Sequence, residues 1–304
     1  MAEIQDLPEG CIGDILSRTT PVDACRFSVV SKTFRSAADS DAVWNRFLPS
    51  DSNFIDSIIS QSPSLANIPT KKALYLALSD RPIIIDHGQK SFQLDKKSGK
   101  ICYMLAARAL TIIWGDDLRY WDWIPMPDSR FPEVAQLRAV CWLEIRGMIN
   151  AIVLSPNTQY AAYAVFKLIE SRGFQDHVVE LSVGVEGDHN STRVVCFDPN
   201  VEGTRHPRVE GLQRPSVRND GWMEIEMGEF FNSGIENEEV QMNIMGMKGG
   251  VTSALTAAEP DEAKSDPKLV EGWKHANKVC RYTILNRTRR SKPKSTSITN
   301  SLKN

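Results

Sequence analysis

Several classes of protein are excluded by what the 304-residue sequence does not contain. It has no run of about 18 consecutive apolar residues, so no membrane-spanning helix is expected. The first residues are acidic, with no basic start followed by an apolar run, so no signal peptide is expected. The formal net charge is −2, which gives no whole-chain argument for binding nucleic acid or a membrane. The expected location is therefore cytoplasmic and nuclear.

Motifs of catalysis and metal binding are missing too. The six cysteines include no Cys-x-x-Cys pair, and we interpret them as small buried hydrophobic residues in a reducing compartment. There is no P-loop and no His-Glu-x-x-His motif. Asp188, His189 and Ser191 are the residue types of a catalytic triad, but triad members meet through the fold and not by adjacency. We therefore expect no enzyme, no catalytic residue, no metal site and no cofactor.

Aromatic residues are concentrated in residues 110–123, with the sequence LTIIWGDDLRYWDW, which hold three of the seven tryptophans. Residues 110–114 predict a strand, and Gly115 with two aspartates predicts a turn. Strand alternation would place Trp121 and Trp123 on one face. A flat ring beside fixed polar groups suits a sugar, whose apolar C–H face can lie on the ring. The alternative is that these tryptophans are core residues, because tryptophan is highly buried on average.

Residues 1–49 predict three short helices with an excess of apolar side chains. Pro21 and Asp23 suit the start of the second helix, and Pro49 ends the third. A module this short has too little interior to bury all its apolar residues. They could pack on the rest of the chain, but we prefer the interpretation that the helices of a partner protein cover them. The residues predicted to form the face that binds this partner are Leu7, Pro8, Ile12, Ile15, Leu16 and Trp44.

Strand patterns dominate residues 101–250. Residues 179–185 and 240–244 alternate between apolar and other residues, and no long helical pattern intervenes. This predicts an antiparallel β-sandwich, and an α+β multidomain chain as a whole. Residues 50–100 predict an ordered connector. In residues 251–304, every charged residue after Glu271 is basic. This composition predicts a mostly disordered basic tail, in which the only local helix expected lies around residues 269–282.

Residues 114–123 and several later segments resemble the plant phloem lectins of the Nictaba-like family, from about residue 102 to residue 250. The later segments are VAQLR at 134–138, CWLEIRG at 141–147, AYAVFKL at 162–168, RNDGWMEI at 218–225 and GEFF at 228–231. The resemblance implies a jelly-roll-like sandwich that binds N-glycans or other sugars containing N-acetylglucosamine. It implies binding roles for Trp114 and Trp121, with Asp116, Asp117 and Trp123 as further candidates.

Residues 3–49 resemble an F-box, through residues 7–16, 30–34 and 43–44, with Phe34 at a position where tryptophan is common. The resemblance implies docking onto the Skp adaptor of a cullin ubiquitin ligase of the SCF type. The chain would then be the subunit that recognises a glycoprotein substrate through the lectin domain. The alternative is an F-box adaptor whose β-sandwich binds a protein target and has lost sugar binding.

The lectin resemblance ends at Gly250, where the family normally continues into one more apolar strand. We therefore predict that a neighbouring strand is left as an open edge, which invites aggregation. The basic segment RTRRSKPK at 287–294 matches the composition of a nuclear-import signal or a weak nucleic-acid contact. Short basic runs match such signals by accident, so neither nucleic acid nor a membrane is expected as a partner.

Overall fold

The computed structural model describes residues 7–138, 140, 142–171, 178–185, 191–199, 210–234, 238–246 and 276–286. The helices precede the strands. The α-helices are α1 (Glu9–Leu16), α2 (Pro21–Phe27), α3 (Lys32–Asp39), α4 (Asp41–Trp44), α5 (Ser52–Gln61) and α6 (Lys71–Asp80). The strands are β1 (Ile83–Ile85), β2 (Lys90–Leu94), β3 (Ile101–Leu105), β4 (Thr111–Ile112), β5 (Trp121–Ile124), β6 (Val134–Leu137), β7 (Glu144–Asn150), β8 (Thr158–Ser171), β9 (Val178–Val185), β10 (Ser191–Cys196), β11 (Ser216–Val217), β12 (Met223–Asn232), β13 (Glu239–Gly246) and β14 (Ala276–Asn286).

The amino-terminal module has four short helices, α1 to α4, where the sequence predicts three. The predicted second helix is divided because Ser31 is extended, with φ −156° and ψ 171°, and its hydroxyl accepts a hydrogen bond from the N–H of Phe34. Ser40 caps α4 in the same way, by accepting from the N–H of Ala42. Serine is favoured at such positions because its oxygen satisfies a backbone N–H that the helix leaves unpaired.

The connector joins the helical module to the strands through one continuous buried core. The ring of Tyr75 on α6 lies 5.1 Å from that of Trp44, and its hydroxyl donates to the carbonyl oxygen of Asp95 at 3.1 Å. Burial, and then the charge of Asp95, raises the pKa of Tyr75. A Cβ at Gly99 would lie 3.2 Å from the carbonyl oxygen of Phe47, and φ there is +73°. Side chains and backbone therefore pack closely where the two parts meet.

The strands form two antiparallel sheets. The nine-stranded sheet has the order β1-β2-β3-β14-β8-β12-β11, with β6 pairing β14 and β5, and the five-stranded sheet has the order β10-β9-β13-β7-β4. Buried residues of both sheets belong to the same core. A Cβ added at Gly228 of β12 would lie 2.5 Å from Val183 of β9, so the two sheets approach each other closely here. The prediction of an N-terminal helical module followed by antiparallel strands is confirmed.

The last strand corrects the prediction of an open edge. β14 pairs antiparallel with β3 on one side and with β8 on the other, so the backbone groups that face it are paired. Residues 276–286 were assigned to a disordered tail with a local helix at 269–282, and this is wrong for the residues of β14. The remainder of that predicted tail, residues 251–275 and 287–304, lies outside the described residues.

Two of the cysteines also differ from prediction. Cys11 and Cys25 are exposed and unbridged, while Cys102 and Cys196 are buried as expected. Within the described residues, no group of His, Cys, Asp and Glu side chains is placed to hold a metal ion. The helices that the structure describes are all too short or too polar to cross a membrane.

Candidate functional site

The aromatic stretch forms a tight loop at the edge of the five-stranded sheet. β4 pairs with β7, and the N–H of Ile113 continues the pairing with the carbonyl oxygen of Glu144 at 3.1 Å. Trp114 then adopts a φ of 57°, which turns the chain, and the N–H of Gly115 bonds back to Ile112 at 2.9 Å. A Cβ at Gly115 would lie only 2.9 Å from the carbonyl oxygen of Ile112, so the turn requires glycine. The predicted strand is thus shorter than expected, and Trp114 belongs to the turn.

Trp121 and Trp123 hold this loop in place. The indole N–H of Trp121 donates to the carbonyl oxygen of Ile113 at 3.2 Å, and that of Trp123 donates to Gly115 at 2.9 Å. Trp121 is only 1% exposed, so it is a core residue and offers no ring face to a ligand. The ring of Trp123 is half-buried and is covered by the guanidinium of Arg108 at 3.6 Å. These two predicted site residues therefore support the loop instead of forming its surface.

Trp114 and Tyr120 form the aromatic surface of the loop. Their ring centroids are 5.2 Å apart at an interplanar angle of 35°, and both residues are half-buried. Leu118 and Arg119, between them in sequence, are exposed. A tilted pair of this kind offers an apolar, partly accessible surface bordered by polar groups.

The aspartates of the loop differ in how far they are already paired. Asp117 accepts hydrogen bonds from the side chain of Arg119 at 3.0 Å and from its backbone N–H at 2.9 Å, which lower the pKa of Asp117 to about 2. Asp122 is bound by Arg138. Asp116 is exposed and makes no hydrogen bond or ion pair with any residue that the structure describes. Asp116 is therefore the predicted acidic residue with the most capacity left for a ligand.

The predicted adaptor-binding residues divide into interior and accessible positions. Ile12, Leu16 and Trp44 are buried in the core, and the indole N–H of Trp44 donates to the carbonyl oxygen of Ala38 at 2.6 Å. Ile15 and Pro8 are exposed, and Leu7 is half-buried against the core. Ile12, Leu16 and Trp44 therefore stabilise the module. Leu7, Pro8 and Ile15 are accessible for direct contact with a partner.

Three accessible apolar residues of this module are not among the predicted adaptor-binding residues. Phe27, Val29 and Val30 are exposed, with Val29 77% and Val30 55% exposed. The sequence pattern predicts that they belong to the second of the three short helices, whereas Val29 and Val30 lie in the turn between α2 and α3. The spacing of the apolar residues is helical, so the sequence alone does not indicate that the chain leaves the helix before Ser31 and exposes Val29 and Val30. We call Ile15, Phe27, Val29 and Val30 the exposed apolar set.

Comparison with known proteins identifies both parts of the chain. Residues 4–46 match the F-box domain, and residues 100–254 match the family described as Phloem protein 2. F-box protein PP2-B10 of Arabidopsis thaliana is 48% identical over 244 residues, covering 79% of this chain and 86% of that protein. Putative F-box protein PP2-B8 of Arabidopsis thaliana is 44% identical over 250 residues, covering 80% and 81%.

The third similar protein is also an F-box protein of Arabidopsis thaliana. F-box protein SKIP3 of Arabidopsis thaliana is 40% identical over 244 residues, covering 79% of this chain and 81% of that protein. All three similarities span most of both sequences, and all three relatives are named F-box proteins. The chain belongs to the family of F-box proteins that carry a phloem protein 2 domain.

Proposed function

We propose that the chain is the substrate-recognition subunit of an SCF-type cullin ubiquitin ligase and that it binds glycoproteins through their sugars. The F-box would dock onto the Skp adaptor, and through it onto a cullin. The phloem protein 2 domain would bind N-glycans or other sugars that contain N-acetylglucosamine. The aromatic pair of Trp114 and Tyr120 beside the unpaired Asp116 is the observation that carries the sugar-binding part.

The exposed apolar set supports docking onto a Skp adaptor. Isolated exposed apolar residues are ordinary on protein surfaces, but here Val29 and Val30 are adjacent and follow the exposed Phe27. Association with a partner's apolar helices would remove these side chains from water. The family match of residues 4–46 supports the same proposal.

The loop chemistry supports a sugar. An apolar pyranose face can lie against Trp114, while the carboxylate of Asp116 accepts hydrogen bonds from sugar hydroxyls. The loop is held by two tryptophan hydrogen bonds and by the turn at Gly115, so little ordering is needed when a ligand binds. Preorganisation of this kind favours affinity because fewer groups lose freedom on binding.

The second candidate function is recognition of a protein target without sugar. Leu118 is a large exposed apolar residue at the tip of the same loop, and Asp117 is already paired with Arg119. An exposed leucine suits a polypeptide partner better than it suits sugar hydroxyls. In both functions the chain acts as an adaptor in the cytoplasm and the nucleus, and other ligase subunits transfer ubiquitin.

A glycan array separates the two functions. The full chain, co-expressed with a Skp adaptor, is applied to the array together with Trp114→Ala and Val217→Ala variants. Val217 is exposed and lies on β11 of the other sheet, so it is a matched control. We expect binding to glycans containing N-acetylglucosamine that is lost with Trp114→Ala and kept with Val217→Ala. Failure of the folded wild-type chain to bind any glycan would leave the protein-target function.

A further inference from the structure

We propose that the outward face of the five-stranded sheet extends the loop site and binds further residues of an uncharged oligosaccharide. This inference rests on the proposed sugar binding and adds to it a second set of contacting residues. We call these residues the sheet face. They are Trp142, Glu144, Arg146, Ser182, Gln241 and Asn243.

The side chains of the sheet face point away from the core. Along β13, Val240, Met242 and Ile244 are buried, and Gln241 and Asn243 alternate with them. β7 and β9 show the same period of two, as strand geometry requires. Met148, which lies opposite Gln241, is 52% exposed, and Arg146 is exposed as well. The face is therefore open to a ligand.

Strand register places the polar groups side by side. Asn243 lies opposite Ser182 on one neighbouring strand and opposite Arg146 on the other, and its amide donates to the Ser182 hydroxyl at 3.1 Å. The amide of Gln241 has no hydrogen-bond partner among the described residues. Amide groups donate and accept at once, as sugar hydroxyls do. Five strands at about 4.8 Å spacing cross about 19 Å, a distance that suits a chain of sugars.

The charges of the sheet face favour an uncharged ligand. Glu144 accepts from the indole N–H of Trp142 at 2.8 Å and from Nε of Arg146 at 2.7 Å, so these two opposite charges are paired with each other. Glu180 on β9 and Glu239 on β13 add two further carboxylates at opposite ends of this face. A face without a cluster of one sign gives no electrostatic advantage to an anionic or a cationic ligand.

The position of the face distinguishes a sugar from a peptide. The backbone N–H of Ile113, which leads into the loop at Trp114, is hydrogen-bonded to the carbonyl oxygen of Glu144, so the loop begins beside the strand that carries part of the sheet face. A peptide that binds a sheet by strand addition requires an edge with free backbone groups. β9 and β13 each have a neighbour on both sides, and β7 is paired with β4 at Ile145 and Arg146, so the backbone groups at these positions are paired and the side-chain amides are what remains.

The test is the dependence of affinity on oligosaccharide length. The full chain with its Skp adaptor is titrated calorimetrically with di-N-acetylchitobiose and with penta-N-acetylchitopentaose, in the wild type, in Gln241→Ala/Asn243→Ala and in the Val217→Ala control. We expect the wild type and the control to bind the pentamer about tenfold more tightly than the dimer, because a few modest hydrogen bonds lower the dissociation constant by about a factor of ten. The double variant should bind both sugars with the affinity of the dimer.

Each outcome decides between the two proposals. Equal length dependence in the wild type and the double variant overturns the sheet face and leaves the loop site intact. Failure of the folded wild type to bind either sugar overturns both. If the double variant melts at a lower temperature than the control, the side-chain amide NMR signals of Gln241 and Asn243 are followed in the wild type instead. Shifts with the pentamer and not with the dimer are expected, and unchanged signals overturn the sheet face.

Discussion

The indole N–H of Trp123 donates a 2.9 Å hydrogen bond to the carbonyl oxygen of Gly115. Together with the bond from Trp121 to Ile113, it fixes the backbone on both sides of Trp114. Two tryptophans of the stretch thus serve the conformation of the loop, and the third is left at its surface beside Tyr120. Substitutions at the three positions should consequently have different effects.

Trp121→Ala and Trp114→Ala separate folding from binding. Trp121→Ala should lower the free energy of unfolding by about 3–5 kcal/mol, because it removes a fully buried ring and leaves a cavity. Trp114→Ala should change stability much less and weaken sugar binding by about 1–3 kcal/mol, by analogy with aromatic stacking on bases. Thermal melting and calorimetric titration measure the two effects. Equal losses of stability in both variants would contradict this division of roles.

Val29→Asp/Val30→Asp tests the exposed apolar set. Both side chains are exposed in the chain alone, so the change should leave the melting temperature close to that of the wild type. It should abolish co-purification with a Skp adaptor, because it would place two charges in an apolar interface. Val217→Asp is the control, since Val217 is 69% exposed and lies far along the chain in β11. Normal yield of the complex with the double variant would show that these residues do not face the adaptor.

Truncation tests the place of β14. A chain that ends at residue 250 would leave β3 and β8 without the strand that lies between them. We expect such a chain to aggregate, because two rows of backbone groups lose their partners. A chain that ends at residue 286 keeps β14 and should remain soluble. Size-exclusion chromatography and melting curves of the two truncations provide the comparison, and a stable monomer ending at residue 250 would be inconsistent with this sheet order.

Asp117 gives a prediction for acid pH. Its hydrogen bonds from Arg119 lower its pKa from an ordinary 3.8 to about 2. A lowered pKa stabilises the fold above the ordinary pKa, and this contribution disappears as the pH falls from about 4 toward 2. Arg119→Ala should raise the pKa partway, since the backbone bond remains, whereas Arg138→Ala, which frees Asp122, should not change it. NMR titration of the carboxyl carbons measures both, and an unchanged Asp117 midpoint in Arg119→Ala would contradict the pairing.

The sequence was informative where local chemistry decides the structure. The period of two along β9 and β13, and the turn at Gly115, follow from residue type and spacing and appear as predicted. The F-box and the phloem protein 2 domain were identified because many short motifs occur in order. Helix breaks were less accessible, since the split before α3 depends on one capped serine, Ser31, within an apolar pattern that is otherwise helical.

Long-range relationships could not be obtained from the sequence. The motif around Trp121 does not distinguish a ring that holds a loop from a ring that holds a sugar, because both require tryptophan beside a turn. β14 was missed because it follows the preceding described strand, β13, only after residues 247–275, and the basic residues around it dominate the composition. Pairing between residues that are distant in the chain overrides such local composition.

A bridging experiment decides whether the chain links a Skp adaptor to a sugar. A purified Skp adaptor is passed over immobilised penta-N-acetylchitopentaose, alone and with the wild-type, Trp114→Ala or Val29→Asp/Val30→Asp chain, and the retained adaptor is quantified. We expect the resin to retain the adaptor only when the wild-type chain is present. The Trp114→Ala chain should pass through the resin together with the adaptor. The Val29→Asp/Val30→Asp chain should be retained while the adaptor passes through. Retention of the adaptor with the Trp114→Ala chain, or no retention with the folded wild-type chain, would contradict the account.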